Sequence, residues 1–289
     1  MNNRKFGRKP RIFNDKVPHY SKLSLGRDTP VLPPAVDYTV GLPDTGLGMY
    51  GNDVLGDCTC AAVYHAKQVW SFNSTAIIDT EDDQDAIRLY ENACGYKPSD
   101  PNPDDGGVEQ DVLTYWVKTG VPTGNDGTGL DNLAAFVEVN PKNMYDVKRA
   151  IMESGLVYIG FEIPAFFDDT APVWDVDPTG DNTITDGHCV IVTGYDDNTS
   201  MYTLISWGQK YKMTYDFFQK FVDEAYALAS KQWVKATGFT PAGLTLAQLE
   251  AEMSGIITTD VASRQKRRKH RRQKKQRGQK TVKVTYTVL

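Results

Sequence analysis

The amino-acid sequence predicts an α+β fold, because helical patterns fill its first half and strand patterns follow them. Four segments carry apolar residues at helical spacing, namely CTCAAVYHAKQVWSF, DAIRLYENA, VEQDVLTYWVKTG and MYDVKRAIMESG. Three later segments are rich in the β-branched and aromatic residues typical of strands, namely LVYIGFEI, HCVIVTGY and MYTLISW. Helices and strands segregated in this way favour α+β over a doubly wound parallel sheet.

The composition excludes several classes of protein. With 289 residues, 40% of them hydrophobic, the chain is long enough to bury a core and is not disordered throughout. No apolar run approaches the ~18 residues of a membrane helix, so we expect no membrane partner. Four cysteines are too few for a disulfide scaffold, and the N-terminus MNNRKFGRKPRIF lacks the apolar segment of a signal peptide. We therefore expect a protein that no signal peptide directs to secretion.

The N-terminal region is broken by proline and leads into the first long helix. Prolines at positions 10, 18, 30, 33, 34 and 43 disfavour helix, so residues 1–34 are predicted to form a basic arm that wraps over the domain. The glycine-rich loop GLPDTGLGMYGND then runs into the first helix, which places Cys58 where loop becomes helix. Gly120 and Gly155 are predicted to close two of the later helices.

The region after the strands is predicted to be helical and then basic. YDFFQKFVDEAYALAS has an apolar face at helical spacing, which core packing explains. Residues 241–263 form a short helical extension, and residues 264–289 a basic tail that ends in the strand-like TVKVTYTVL.

Charge is segregated along the chain although the net charge is only −5. Residues 1–27 hold eight Lys/Arg and one Asp/Glu. Residues 28–263 hold twelve Lys/Arg and 36 Asp/Glu, and residues 264–289 hold twelve Lys/Arg and no Asp/Glu. Such a tail could neutralise nucleic-acid phosphates or meet an acidic protein surface, and a solvated tether or an arm folded onto the acidic body is the other interpretation. The terminal strand would suit a partner's sheet edge.

Cys58 is the first candidate for chemistry. A helix N-terminus stabilises a thiolate, and its free N–H groups can receive an oxyanion. His188 lies 130 residues later, in the strand segment DGHCVIVTGYDD. A cysteine and a histidine within reach of each other are sufficient for acyl transfer through a thioester.

Five collinear motifs resemble the papain-like cysteine proteases. They are Asn52 and Gly56 ahead of Cys58, the DDGG stretch, the helix-to-strand run VKRAIMESGLVYIGFEI, the His188 segment, and LISWGQ. The resemblance implies a two-lobe fold over residues 35–240, a helical lobe plus a β-barrel-like lobe, and peptide or protein substrates with no cofactor. The nearest resemblance is to bacterial and phage proteins of this type, which implies a bacterial cytoplasm or a virion.

The same resemblance assigns roles to individual residues. Cys58 is the nucleophile, His188 the general base and Asn52 a contributor to the oxyanion hole. The backbone of Gly106 and Gly107 holds the extended substrate, and the Trp207 indole shields the site. Gly56 matches a family glycine.

Three departures from the family pattern stand out. Ile205 occupies the position of the asparagine that orients the family's histidine, and Asp186, Asp196 and Ser206 are the candidates to replace it. Leu55 stands where the family has a disulfide cysteine, and Thr59 replaces an aromatic residue after the nucleophile. Ile205 and the two basic ends support an alternative from another class, an inactive papain-like scaffold that acts as a structural or interaction protein of a phage particle and docks through its basic arms. A transglutaminase-like or amidase activity is a third possibility.

Other sites are disfavoured by spacing. A Cys₃His zinc site from Cys58, Cys60, His188 and Cys189 lacks the usual ligand spacing, and adjacent strand residues point to opposite faces. His65 is interpreted as a packing histidine. The acidic stretches DTEDDQD and SDPNPDDGG lack the spacing of an EF-hand and are interpreted as solvated loops.

Overall fold

The computed structural model describes residues 4–14, 16–23, 29–100, 104–124 and 126–237, together with positions 245 and 247. The predicted helix at 244–254, the basic tail and the terminal strand therefore lie outside the described residues, apart from those two positions. The domain boundaries at 35 and 240 remain predictions.

Seven α-helices are present in the described residues, and a π-helical turn, Tyr90–Cys94, continues the third. Their bounds are α1 Tyr20–Leu23, α2 Cys58–Thr75, α3 Asp83–Leu89, α4 Glu109–Lys118, α5 Met144–Ser154, α6 Tyr215–Phe221 and α7 Lys231–Thr237. No helix among these residues is long and apolar enough to cross a membrane.

Most of the strands form one mixed sheet. The strands are β1 Ala35–Asp37, β2 Val121–Thr123, β3 Gly129–Asp131, β4 Leu133–Glu138, β5 Val157–Pro164, β6 Val173–Trp174, β7 Ile184–Asp196, β8 Met201–Ser206, β9 Gln209–Thr214 and β10 Val222–Ser230. The order in the large sheet is β4-β10-β5-β7-β8-β9-β6, with β1 also on β7, whereas β2 and β3 form a separate hairpin. All pairs are antiparallel except β6 with β9.

Helix α2 is the central helix of the core. It has no exposed face in its first four turns, where every residue from Cys58 to Ser71 is buried. A helix that is covered all round belongs inside a protein, and α2 packs on β7 and β8. It ends at Ala76, whose left-handed φ of 59° stops the hydrogen-bond ladder.

The predicted helices and strands upstream of residue 206 are present. Gly120 and Gly155 both have positive φ, and Gly155 is the left-handed C-cap of α5, as its place after the last apolar residue predicts. Strand β4 was not predicted, because its sequence, LAAFVE, has no clear hydrophobic periodicity. All six of its residues are nevertheless buried in the sheet.

The prediction of one helix over YDFFQKFVDEAYALAS is wrong in its second half. Helix α6 stops at Phe221, and Val222–Ser230 forms β10 between β4 and β5. All but one residue of this strand is buried, so its pairing with two neighbours outweighs the helical preference of its alanines.

The N-terminal arm runs along the domain surface and enters it. Arg8 forms a parallel β-bridge with Gly107, and His19 forms one with Glu138 at the edge of β4. Arg4 and Arg11 pair with the acidic side chains of Asp169 and Glu138. The basic N-terminal residues thus fold onto the acidic body.

Candidate active site

Cys58 is the first residue of α2, as the sequence predicts. The preceding loop turns sharply, since Tyr50 and Gly51 both have positive φ. The Cys58 side chain is 1% exposed, and its thiol accepts a hydrogen bond from the backbone of Cys189. Cys189 follows His188 directly on β7, so the Cys58 thiol lies against the strand that carries His188.

His188 lies on β7 beneath a layer of aromatic rings. Its imidazole stacks on the Trp207 indole, with ring centroids 4.3 Å apart and planes 14° apart, and contacts Phe6 and Phe161 edge-on. Nε2 lies 2.8 Å from the Ser206 hydroxyl oxygen, whereas Nδ1 is buried and has no hydrogen-bond partner among the described residues. Nδ1 is therefore the ring nitrogen with an unused hydrogen-bonding position.

Ser206 is the group that orients His188, which decides among the three candidates left by the sequence. Asp186 instead accepts a hydrogen bond from Gly187 N, and Asp196 lies at the far end of β7, where it accepts one from Asn198 N. Ile205 is fully buried in β8. Compared with the pattern that the sequence resembles, the group that contacts the imidazole lies one residue later on the strand and is a serine hydroxyl instead of an asparagine amide.

Trp207 is held over His188 by a strained turn. Trp207 and Gly208 link β8 to β9 with φ values of 47° and 66°, the two positive values of a type I′ hairpin turn. Glycine is normal in this conformation, but tryptophan is not, and the strain is of order 1 kcal/mol. The stacked imidazole and the Arg4 guanidinium, 5.2 Å from the ring centroid, hold the indole in place.

Asn52, the predicted oxyanion-hole residue, lies buried in the loop before α2. Its Nδ2 donates one hydrogen bond to the Leu55 carbonyl at 3.0 Å, which fixes the amide beside the helix start. The same amide also hydrogen-bonds the Asp57 carboxyl. The backbone carbonyl of Asn52 accepts from Lys5 N of the arm.

The two predicted substrate glycines lie across the cleft from β7. Gly106 has a φ of +74°, and a Cβ there would lie 1.9 Å from the Gly7 carbonyl oxygen. A Cβ on Gly107 would lie 2.5 Å from Oγ1 of Thr59. Both positions therefore require glycine.

A segment of the chain itself occupies the cleft bounded by Gly56, Gly107 and Gly187. Gly7 N and Arg8 N both donate to the carbonyl of Gly187, the residue before His188, at 3.2 and 3.0 Å. On the other wall, Lys9 N donates to Gly107 O and Gly107 N donates to Gly7 O, each at 2.8 Å. The cleft thus holds an extended peptide backbone.

Burial makes the thiol and the imidazole neutral in this state. Burial, with the nearby Asp57 and Glu109 carboxyls, raises the pKa of the Cys58 thiol far above its ordinary value. Burial lowers the pKa of His188 to about 3. The arm that covers the cleft thus favours the uncharged pair over a thiolate–imidazolium pair.

Asp104 is a structural residue of the site that the sequence analysis did not find. Its carboxylate accepts from Gly56 N through both oxygens at 2.9 Å and from the Tyr90 hydroxyl, which in turn accepts from Gly106 N. It joins the loop before Cys58 to the glycine pair. Asp104 lies in the stretch interpreted as a solvated loop; it is exposed, but its carboxylate is not free.

The other titratable candidates have structural roles. His65 is buried with Nε2 3.0 Å from the Gly48 carbonyl oxygen, and burial lowers its pKa to about 4, so it is a packing histidine as expected. In the described part of the chain no group of three or more His, Cys, Asp or Glu side chains is arranged to hold a metal.

The fold is similar to several solved cysteine proteases. Xylellain, a cysteine protease from Xylella fastidiosa, superposes with a TM-score of 0.60 at 17% identity, over 79% of this chain and 97% of xylellain. The ragweed pollen cysteine protease Amb a 11, in its proform, gives 0.54 at 13% identity over 73% of each chain. Bromelain from Ananas comosus, bound to the E64 inhibitor, gives 0.51 at 15% identity over 69% of this chain and all of bromelain.

Sequence comparison adds nothing to these structural matches. No family model matches the chain, and no curated protein matches it in sequence.

Proposed function

We propose that this chain, which has the papain-like fold, is a cysteine peptidase with Cys58 as nucleophile and His188 as general base. The observation that carries the proposal is the peptide in the cleft. Residues 5–9 lie extended beside the Cys58 helix and the His188 strand, hydrogen-bonded through backbone atoms to Asn52, Gly107 and Gly187. A cleft that binds backbone on both walls next to a thiol and an oriented imidazole is suited to peptide cleavage.

The roles follow from the geometry of each group. For Nδ1 of His188 to accept the thiol proton, Nε2 must carry the other ring proton and donate it to Ser206. The Cys58 thiolate attacks the peptide carbonyl carbon, and the resulting oxyanion is received by the Cys58 backbone N–H and the Asn52 amide. The imidazolium then protonates the leaving amine, and water hydrolyses the thioester.

The arm must leave the cleft before a substrate enters. With the arm bound, Cys58 and His188 are both buried and both neutral. Release of the arm hydrates the site, which removes the desolvation that opposes the charged pair. The described state is therefore a resting state in this proposal.

The test is cleavage of a fluorogenic casein by the full-length chain and its Cys58→Ala variant. We expect Cys58→Ala to abolish cleavage with an unchanged thermal unfolding midpoint, and Cys60→Ala, which removes the neighbouring buried thiol of α2, to retain it. Intact mass of the Gly7→Ala variant, in which the arm is displaced, should show one adduct at Cys58 after incubation with an epoxide thiol reagent. Cleavage by Cys58→Ala, or no cleavage and no adduct even when the arm is displaced by Gly7→Ala, would instead favour the inactive scaffold.

A further inference from the structure

The Arg8 side chain leaves the arm and fills a pocket beside the cleft. Arg8 is 5% exposed, and three carboxylates surround its guanidinium. Nε lies 3.1 Å from Glu109 Oε1 and 2.9 Å from Glu224 Oε1, and Nη2 lies 2.7 Å from both Glu224 Oε1 and Asp223 Oδ1. The side chains of Glu109 and Glu224 are fully buried, whereas Asp223 is 35% exposed at the rim.

The pocket exists because β5 carries a glycine at its wall. Gly160 is opposite Cys189 in the sheet, and a Cβ on Gly160 would lie 2.1 Å from Arg8 Nε and from Glu109 Oε1. Even alanine at this position would fill the space in which the guanidinium and the carboxylate meet.

The carboxylate floor of the pocket is held by groups other than Arg8. The Tyr226 hydroxyl donates to Glu224 Oε2 at 2.8 Å, and Gln110 Nε2 donates to that hydroxyl at 3.0 Å. Both partners are buried residues of β10 and α4. Glu224 therefore keeps its orientation when the cation changes.

An empty pocket is electrostatically unfavourable. Burial raises the pKa of both Glu109 and Glu224 and Arg8 opposes that rise, so the charged form of the two acids is favoured by a cation between them. Glu109 also retains acceptor capacity, since neither of its oxygens has a hydrogen bond of good geometry, although Oε1 is in ionic contact with Arg8. When the arm leaves, the two acids bind a proton, are hydrated, or meet another cation, and the guanidinium of a bound peptide can take the place of that of Arg8.

The backbone register decides which residue of a bound peptide enters the pocket. Arg8 lies opposite Gly107. On either side of it, Lys9 N donates to Gly107 O and Gly107 N donates to Gly7 O. A peptide that pairs with Gly107 in the same way directs its side chain at that position between Glu109 and Glu224.

The acidic surface continues past Arg8 toward solvent. A cavity of about 280 Å³ adjoins the guanidinium and Pro10, and three carboxylates lie along it, namely Glu162, Asp186 and Asp223. A second basic residue near the first would meet these groups.

We propose that this pocket selects an arginine side chain in the peptides that the protein binds and cleaves, and that Arg8 occupies it as a substrate mimic. Arginine is favoured over lysine because Nε and Nη2 contact Glu224 and its neighbours together, whereas one ammonium nitrogen cannot occupy both positions. The part of this inference that concerns cleavage rests on the proposed function, but binding does not.

The binding experiment uses the full-length chain with Gly7→Ala and Arg8→Ala, which displace its own arm, and Cys58→Ala, which prevents turnover. Its ligands are fluorescent octapeptides of the sequence RKFGRKPR, with arginine, lysine, leucine or the neutral isostere citrulline at the Arg8 position. We expect arginine to bind at least 10-fold more tightly than citrulline. Adding Glu224→Gln should reduce that ratio to near one, and adding Glu91→Gln, on the π-helical turn Tyr90–Cys94, should not change it.

The outcomes separate the inference from the proposed function. Equal affinity for arginine and citrulline, or a ratio unaffected by Glu224→Gln in a variant with unchanged circular dichroism, overturns the pocket assignment. The single variant Gly7→Ala, which keeps its thiol, is then tested for cleavage of peptides that differ at the same position. Selective binding without Cys58 reactivity would contradict the peptidase and leave the pocket assignment standing.

Discussion

The Ser206 hydroxyl lies 2.8 Å from Nε2 of His188, at the end of β8 and directly before the tryptophan that covers the imidazole. One strand end thus supplies both the hydrogen bond and the stacking surface that fix the ring. The contact takes the place of the orienting group that Ile205 cannot provide, and in the proposed mechanism the hydroxyl accepts the Nε2 proton so that Nδ1 can act as base.

Removal of this hydroxyl should reduce the rate of peptide cleavage more than the affinity for substrate. We expect Ser206→Ala to lower kcat about 10- to 100-fold with little change in KM, because an unheld imidazole spends less time in the productive orientation. Steady-state kinetics on a fluorogenic peptide, measured across pH, will show the loss. Ser206→Thr keeps the hydroxyl and should retain most of the rate, and Ser74→Ala controls for loss of a helix hydroxyl; equal rates for Ser206→Ala and wild type would refute the role.

Displacement of the arm should increase the proposed peptide cleavage. A Cβ on Gly7 would lie 2.1 Å from the Gly56 carbonyl oxygen, a contact with rigid backbone that only movement of the arm relieves. We expect Gly7→Ala to raise the rate of peptide cleavage at least 10-fold over the wild-type chain. Ile12→Ala, at an exposed arm position outside the cleft, is the matched control, and an unchanged rate in Gly7→Ala would show that the arm does not limit access.

The apparent pKa of Cys58, measured from the pH dependence of its alkylation rate, should lie above the ordinary thiol value with the arm bound and below it with the arm displaced. In the wild-type chain burial raises the thiol pKa, so the iodoacetamide rate at Cys58 should be below that of the half-buried Cys94 and should still increase above the ordinary thiol pKa of about 8.5. In Gly7→Ala, the hydrated His188 stabilises the thiolate, so the apparent pKa should fall below that value.

Peptide mapping by mass spectrometry gives both rates. Adding His188→Ala to Gly7→Ala should raise the apparent pKa again. A Cys58 pKa that is the same in all of these chains would mean that the thiol and the imidazole do not interact.

Asp57 should make the folded state less stable as the pH rises. It is fully buried, its carboxylate oxygens lack hydrogen-bond partners of good geometry among the described residues, and burial raises its pKa well above the ordinary value. The folded chain therefore binds a proton that the unfolded chain has lost above pH ~4, so this contribution to stability is full below pH ~4 and falls as the pH increases toward the folded-state pKa.

Asp57→Asn should remove that dependence. We expect the free energy of unfolding of the variant, relative to wild type, to increase by at least ~1 kcal/mol between pH 4.5 and pH 8. Urea unfolding followed by tryptophan fluorescence measures it, with the exposed Asp216→Asn as the reference variant. Parallel pH profiles for wild type and Asp57→Asn would mean that Asp57 is ionised in the folded state.

Local sequence patterns were sufficient to predict most helices and strands and to place Cys58 at a helix start and His188 on a strand. The position of Cys58 at a helix start follows from a glycine-rich loop that meets a run of apolar residues, and that of His188 on a strand follows from β-branched neighbours. Both signals depend on residues within a few positions, so they can be read without the fold. The second half of YDFFQKFVDEAYALAS was assigned wrongly because β10 is stabilised by pairing with β4 and β5, which are distant in sequence.

The sequence by itself determined the α+β class, the helix-start thiol, the strand histidine and the basic character of the arm. Only the tertiary structure decided that Ser206 orients His188, that the arm lies in the cleft, and that Arg8 is buried among Glu109 and Glu224. Arg8 and Glu224 are 216 positions apart. Contacts of this kind are set by how the sheet, the helices and the arm close around one another, since no local period or spacing encodes which charged side chains meet.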